Sequence, residues 1–169
     1  MSHADKVGPL SRIVDVSRLP PGRGGVTVEA TQAEAEALAK DFGIPGLRDL
    51  VGHFDISGPT TRLIVTGRVE ALVTQICTVT LEPFEAKVSE PVEVEFTDTD
   101  RLAGTDAEDA EVPDPIVGGR IDFGVLTAEF LALGLDPYPR KPGVSFEPVQ
   151  VGQDAGPFDA LRALKDGDA

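Results

Sequence analysis

The chain has 169 residues, 41% of them hydrophobic, which is enough for one domain with one core. Its formal net charge of -14 disfavours broad binding to nucleic-acid phosphates and favours a basic protein partner, although the same charge could serve solubility alone. No apolar run reaches the ~20 residues of a membrane helix, and the N-terminus lacks the basic and apolar regions of a signal peptide. The single cysteine excludes an internal disulfide, so we expect a cytoplasmic protein.

The first part of the chain predicts two short strands and a helix. Residues 12–17 and 26–30 have strand character and are separated by a loop rich in Pro and Gly. Thr31 then predicts a helix start, because Glu34 follows three residues later and completes a capping box. The apolar side chains repeat with helical spacing at Ala35, Leu38, Ala39 and Phe42. Gly43 provides a natural helix end.

Two long alternating runs predict an antiparallel hairpin, preceded by a strand over residues 48–57. In the first run the apolar residues share odd parity: Leu63, Val65, Val69, Ala71, Val73 and Cys77. In the second run they share even parity: Val88, Val92, Val94 and Phe96. Because alternate residues of a strand point to opposite faces, each run has one face in the core. The polar turn Leu81-Glu82-Pro83 between the runs is typical of a hairpin.

The remaining chain mixes polar and apolar segments. Residues 97–115 are densely acidic with almost no apolar side chain, so we expect a mobile loop. Residues 125–133 are apolar nearly all round and predict a buried helix that ends at Gly134. The prolines of residues 136–143 favour an extended segment. The last residues, 144–169, form an extension in which Pro157 begins a short helix.

These elements predict an α+β fold. We expect one domain over residues 1–169, with a strongly curved antiparallel sheet of about five strands packed by the helices that begin at Thr31 and Val125.

Cys77 is the residue that most resembles a metal or redox ligand. Zinc sites need paired Cys or His ligands, but Thr80 occupies the position of a CxxC partner, and His3 and His53 are the only histidines. A nucleophilic cysteine needs a base and an electropositive setting, whereas Cys77 shares the parity of the apolar face. We therefore interpret Cys77 as a small buried side chain and expect no metal and no cofactor.

No other catalytic constellation is visible in the sequence. Adjacent residues of a strand point apart, so His53 and Asp55 are not expected to form a dyad, and His53 is interpreted as a surface or edge residue. The acidic segment lacks the spacing of an EF-hand, and the chain has neither a phosphate-binding loop nor a nucleophile elbow. An enzyme is therefore not expected, and no small-molecule substrate is implied.

Three segments resemble the YceD family, the large ribosomal RNA subunit accumulation proteins. The segment "CTVTLEPFEAKVSEPVEVEF" is similar to the family's central signature, with Cys77, Leu81, Glu82 and Pro83 matching and Thr80 replacing a second cysteine. "IDFGVLTAEFLALGLDPYPRKPG" looks like its later block. "GPFDALRALK", with Pro157 and Phe158, resembles its C-terminal motif. The resemblance implies that Cys77 is the surviving half of a cysteine pair.

The same resemblance implies a role in large-subunit ribosomal RNA accumulation and ribosome biogenesis, with no catalytic residue. Residues 136–143 are the candidate recognition segment, because Tyr138 and Arg140 are of types enriched at binding hot spots and Lys141 adds a second cation. The alternative is a proline-rich connector whose Tyr138 packs on the core and whose two cations neutralise nearby carboxylates. The net charge makes a basic ribosomal protein the expected contact, with RNA touched only locally. Two alternatives stay open: an RNA-binding module with Arg62, Arg68, Arg140 and Lys141 as a basic patch, and a small regulatory or metal-binding protein.

Overall fold

The computed structural model describes residues 8–20, 24–98 and 113–147, and it confirms an α+β fold. Seven strands and two α-helices follow one another in the described part of the chain. In chain order these are β1 (Ile13–Asp15), β2 (Gly24–Glu29), α1 (Gln32–Phe42), β3 (Gly46–Ser57), β4 (Leu63–Ile76), β5 (Pro83–Asp98), β6 (Asp114–Ile116), β7 (Arg120–Asp122) and α2 (Phe123–Gly134). A short 3-10 turn, Val16–Arg18, follows β1.

The main sheet has five strands in the order β2-β3-β4-β5-β6, and it is mixed rather than antiparallel. Strands β2 to β5 pair antiparallel with their sequence neighbours. Strand β6 instead pairs parallel with the end of β5, where Phe96 lies opposite Asp114. The prediction of a wholly antiparallel sheet was therefore wrong at this edge, because Asp114–Ile116 runs in the same direction as the end of β5. Strands β1 and β7 form a second, two-stranded sheet.

The predicted hairpin of β4 and β5 is confirmed, with continuous register from Leu63 opposite Phe96 to Ile76 opposite Pro83. The odd-numbered apolar residues of β4 are buried in the core, as are three of the four even-numbered apolar residues predicted for β5. The fourth, Val94, is partly buried and packs against the core. Gly67 interrupts the apolar series because a Cβ there would overlap the carbonyl oxygen of His53 on β3. A glycine therefore lets the two central strands approach each other closely.

Helix α1 has the predicted capping box. The Thr31 hydroxyl accepts from the Glu34 N–H, and the Glu34 carboxylate accepts from the Thr31 N–H at 2.8 Å. Gly43 ends the helix in the left-handed conformation, as expected. Glu34 also accepts from both terminal nitrogens of Arg12 at 2.8 Å, which joins the helix start to the N-terminal segment. This ion pair, followed by the capping hydrogen bond, lowers the pKa of Glu34 to about 2.

Helix α2 differs from its prediction at both ends. It begins at Phe123, because the Asp122 side chain accepts from the backbone N–H groups of Gly124 and Val125. Gly134 was expected to lie beyond the helix but is its last residue, and its small size allows a close approach to Val88. The helix is also not buried all round, since Leu133 is exposed. Asp122 was not identified from the sequence as a capping residue.

Parts of the predicted loop and C-terminal extension cannot be compared with the structure. Residues 99–112 and 148–169 lie outside the described residues, including Pro157, Phe158 and the expected C-terminal helix. Both ends of the acidic stretch are strand rather than loop, because Thr97 and Pro115 pair across β5 and β6. Thr97 is buried and its hydroxyl donates to the carbonyl of Thr61 at 2.9 Å, which accounts for the order at this end.

Candidate partner-binding site

The end of β4 and the turn that follows it are hydrogen-bonded to the chain leaving α2. Both the N–H and the hydroxyl of Thr78 donate to the carbonyl oxygen of Pro139, at 2.9 and 3.2 Å. We call residues 75–82 together with residues 136–141 the tip. The tip thus contains the whole turn between β4 and β5 and most of the segment that the sequence predicted to bind a partner.

Two side chains strengthen the connection between the segments of the tip. The Gln75 amide donates to the carbonyl oxygen of Asp136 at 3.1 Å, and Gln75 is a polar residue on the buried face of β4. The Lys141 ammonium pairs with the Glu82 carboxylate at 3.3 Å. The family-motif residue Glu82 and the predicted recognition residue Lys141 therefore lie in contact, which their separation in sequence did not reveal.

Cys77 lies at the centre of the tip and is fully buried, as predicted. Its Sγ accepts from the backbone N–H groups of Lys141, at 3.4 Å, and Thr80, at 3.5 Å. The hydrogen bond from the Lys141 N–H, followed by those from the Thr80 side chain and the Thr80 N–H, lowers the pKa of the Cys77 thiol to about 6, because hydrogen bonds to the sulfur stabilise the thiolate. The side chain is thus more than an inert filler, since it accepts hydrogen bonds from both segments.

The arrangement offers little for metal chemistry. Thr80 stands where the resemblance to the family implies a second cysteine, and both its backbone and its side chain are hydrogen-bonded to the Cys77 sulfur. Among the residues that the structure describes, no group of three or more His, Cys, Asp and Glu side chains could hold a metal ion. The Cys77 sulfur is also fully buried, and its hydrogen bonds lie within the tip.

The surface of the tip carries exposed apolar side chains. Leu81 has the left-handed backbone conformation, φ 60°, and its side chain is 76% exposed. Its N–H donates to the carbonyl oxygen of Cys77 at 2.9 Å, which closes the turn. Tyr138 is 74% exposed and Ile76 is 41% exposed. The residues of the tip therefore present more apolar surface than an ordinary polar turn.

The predicted basic residues do not form one patch. Arg62 pairs with Glu95 at 3.1 Å, and Arg68 donates to the hydroxyl of Ser89 at 2.8 Å. Arg62 precedes β4 whereas the tip follows it, and the 14 residues of β4 correspond to ~46 Å of extended strand. The structure thus brings Tyr138, Arg140 and Lys141 to one end of the strand and leaves the other two arginines elsewhere.

His53 and Asp55 both lie on the exposed face of β3, so the expectation that they point apart was wrong. They are two residues apart, and residues at this spacing share a face of a strand. His53 nevertheless contacts the hydroxyl of Thr27 at 3.3 Å, through Nδ1. It is an exposed residue, as expected, but its strand lies inside the sheet and not at the edge.

Two exposed apolar residues of the tip, Leu81 and Ile76, were missed as candidates for binding. Leu81 was identified only as part of a family motif, and Ile76 was not considered. The sequence did not predict the left-handed conformation of Leu81, because glycine and asparagine are the residues normally found in that conformation. The polar neighbours of Ile76 on β4 could have indicated its exposure.

The family model of "Large ribosomal RNA subunit accumulation protein YceD" matches residues 65–165 of the chain. This range contains β5, the tip and α2, together with nearly all of β4. The chain belongs to the YceD family, whose name ties it to the accumulation of large-subunit ribosomal RNA. No curated protein and no solved structure matches the chain. None of the helices in the described residues is long and apolar enough to cross a membrane.

Proposed function

We propose that this protein is a non-enzymatic factor in large ribosomal subunit biogenesis, which supports the accumulation of large-subunit ribosomal RNA by binding an assembly component in the cytoplasm. The family match over residues 65–165 carries the proposal. The tip supports it further, because the turn that contains the family-motif residues Leu81 and Glu82 is bonded to the segment with Tyr138 and Lys141. One compact surface thus combines the family motif with the predicted recognition segment.

Binding is a better account of the tip than catalysis. Cys77 is the side chain closest in kind to a nucleophile, but its sulfur is buried and is occupied by two backbone N–H groups. Tyr138 and Leu81 are exposed, and the aliphatic side chain of Leu81 has no group that could take part in a reaction. Exposed aromatic and aliphatic side chains on an ordered turn are suited to forming an interface.

A basic ribosomal protein is the contact that the charge of this chain favours. A net charge of -14 attracts a basic partner over long distances and repels phosphates. The alternative, an RNA-binding patch, would need several unpaired cations close together. Arg62 is paired with Glu95 and Lys141 with Glu82, so the patch would have fewer available charges than the sequence suggested.

Affinity purification from cells tests this proposal. The tagged full chain should bring down particles that contain large-subunit ribosomal RNA and proteins. After ribonuclease treatment a ribosomal protein should stay bound if the contact is protein, whereas a direct RNA contact would be lost. Recovery of neither large-subunit RNA nor large-subunit proteins, under conditions that preserve assembling particles, would contradict the proposal.

A further inference from the structure

We propose that the tip is a docking surface for a basic polypeptide segment of a large-subunit ribosomal protein, which buries an apolar side chain against Leu81 and Tyr138. This inference rests on the proposed function and names the surface and the kind of partner. It narrows the sequence-based hypothesis, in which Tyr138, Arg140 and Lys141 together were the recognition groups, and adds Leu81. Here the apolar side chains supply most of the binding energy.

Leu81 is the strongest indication of a partner. A leucine in the left-handed conformation is strained relative to glycine or asparagine, and such outliers concentrate at functional positions. Its side chain is 76% exposed, so burial within the fold repays little of that strain. The turn is closed by the Leu81 N–H, which any residue except proline would provide. The side chain itself is therefore available for a contact outside the chain.

Tyr138 adds a rigid aromatic surface to the same end of the sheet. Its N–H donates to the Asp136 side chain at 2.9 Å, so a local turn holds its backbone. The neighbouring Pro139 carbonyl accepts two hydrogen bonds from Thr78, and the ring is 74% exposed. Tyrosine contributes large contact area with few rotatable bonds, which is why it is enriched at the centre of interfaces.

The tip is already organised before a partner arrives. Bonds from Gln75, Thr78 and Lys141 join its two segments, and the Cys77 sulfur accepts one of them. Less conformational entropy is then lost on binding than with a free loop. An ordered surface with protruding apolar side chains fits a partner whose own segment is extended and flexible.

The charges around the tip favour a polypeptide over RNA. Lys141 is neutralised by Glu82, which leaves Arg140 as the cation of the tip without an ion pair in the described residues. One cation supplies at most one phosphate contact, whereas RNA binding by charge needs several. The net charge of -14 instead steers a basic segment toward the molecule, and the apolar side chains then hold it.

A pull-down with defined components tests the inference. The immobilised full chain is offered total protein extracted from purified large ribosomal subunits and freed of RNA. Leu81→Asn keeps a residue that tolerates the left-handed conformation but removes the apolar side chain, and Tyr138→Ala removes the ring. Each change should reduce retention of the bound ribosomal protein by about tenfold or more, as expected for hot-spot residues, with the melting temperature unchanged.

Ile13→Thr is the matched control. Ile13 is a 63% exposed aliphatic residue on β1, which lies beside the start of α2 and not beside the tip. This variant should bind as the parent does. The inference is overturned if the Leu81 and Tyr138 variants also bind as the parent does. It is also overturned if the parent retains no ribosomal protein from the extract but does retain ribosomal RNA offered in a separate incubation.

Sedimentation of the same variants separates this inference from the proposed function. If the parent and the tip variants co-sediment equally well with large-subunit precursors, the proposed function is supported and the tip is eliminated as the docking surface. Parent protein that never travels with such particles would contradict the proposed function itself.

Discussion

Replacing Cys77 by alanine should destabilise the protein more than its small size suggests. The side chain is fully buried, and its Sγ accepts backbone N–H groups from Thr80 and Lys141. Alanine leaves both donors without their acceptor and loosens the join between the two segments of the tip. Serine retains an acceptor at the same position and should recover part of the stability.

The size of the effect follows from the two lost hydrogen bonds. In a chain of this length, each bond of this kind lowers the unfolding midpoint by about 3 °C. Cys77→Ala should therefore unfold about 6 °C below the parent in a thermal scan followed by circular dichroism, with Cys77→Ser between them. Sequence analysis alone would predict a smaller loss, since it treats the cysteine as a filler.

The pH dependence provides an independent check. The pKa of Cys77 is about 6 in the folded protein, against about 8.5 for an unfolded thiol. The stabilising contribution of the thiolate is therefore fully present above about pH 8.5 and is lost as the pH falls through about 6. The midpoint difference between the parent and Cys77→Ser should widen from pH 6 to pH 8.5. A constant difference, or an alanine variant as stable as the parent, would refute this reasoning.

Three further changes test other parts of the account. Gly67→Ala should destabilise the protein by about 3 kcal/mol or more in denaturant unfolding, because the new Cβ would overlap the His53 carbonyl oxygen; a neutral substitution would show that β3 and β4 can separate freely. Glu34→Gln should lose stability relative to the parent above pH 4.5, and the gap should close as the pH falls toward 2, since the folded pKa of Glu34 is about 2; a gap independent of pH would contradict this. Arg140→Ala combined with Lys141→Ala should weaken association with assembling large subunits much less than Leu81→Asn does, while the melting temperature stays within a few degrees. If the Arg140→Ala, Lys141→Ala variant no longer co-sediments with assembling large subunits while Leu81→Asn still does, then the two cations, and not Leu81, are the main recognition groups.

The regular elements were predictable because their signals are local. The capping box at Thr31 and Glu34 and the alternation of β4 and β5 depend on spacing within one segment, and both are confirmed. The parallel pairing of β6 was not predictable, because it depends on where the chain returns after residues 99–112. No periodicity within Asp114–Ile116 encodes that direction.

The candidate site was predictable only in its components. The sequence identified Cys77 and residues 136–143 separately, but the bonds that join them connect residues about sixty positions apart. It also missed the conformation of Leu81, because a positive φ at a leucine follows from turn closure and not from residue preference. The expectation that His53 and Asp55 point apart was an avoidable error, because residues two positions apart in a strand share a face.

The ratio of large-subunit to small-subunit ribosomal RNA, measured in cells depleted of this protein, tests the proposed role most directly. The ratio should fall, and full-length protein supplied in trans should restore it, whereas the Leu81→Asn variant should restore it poorly. An unchanged ratio in fully depleted cells, together with normal levels of large-subunit precursors, would contradict a role in the accumulation of large-subunit ribosomal RNA.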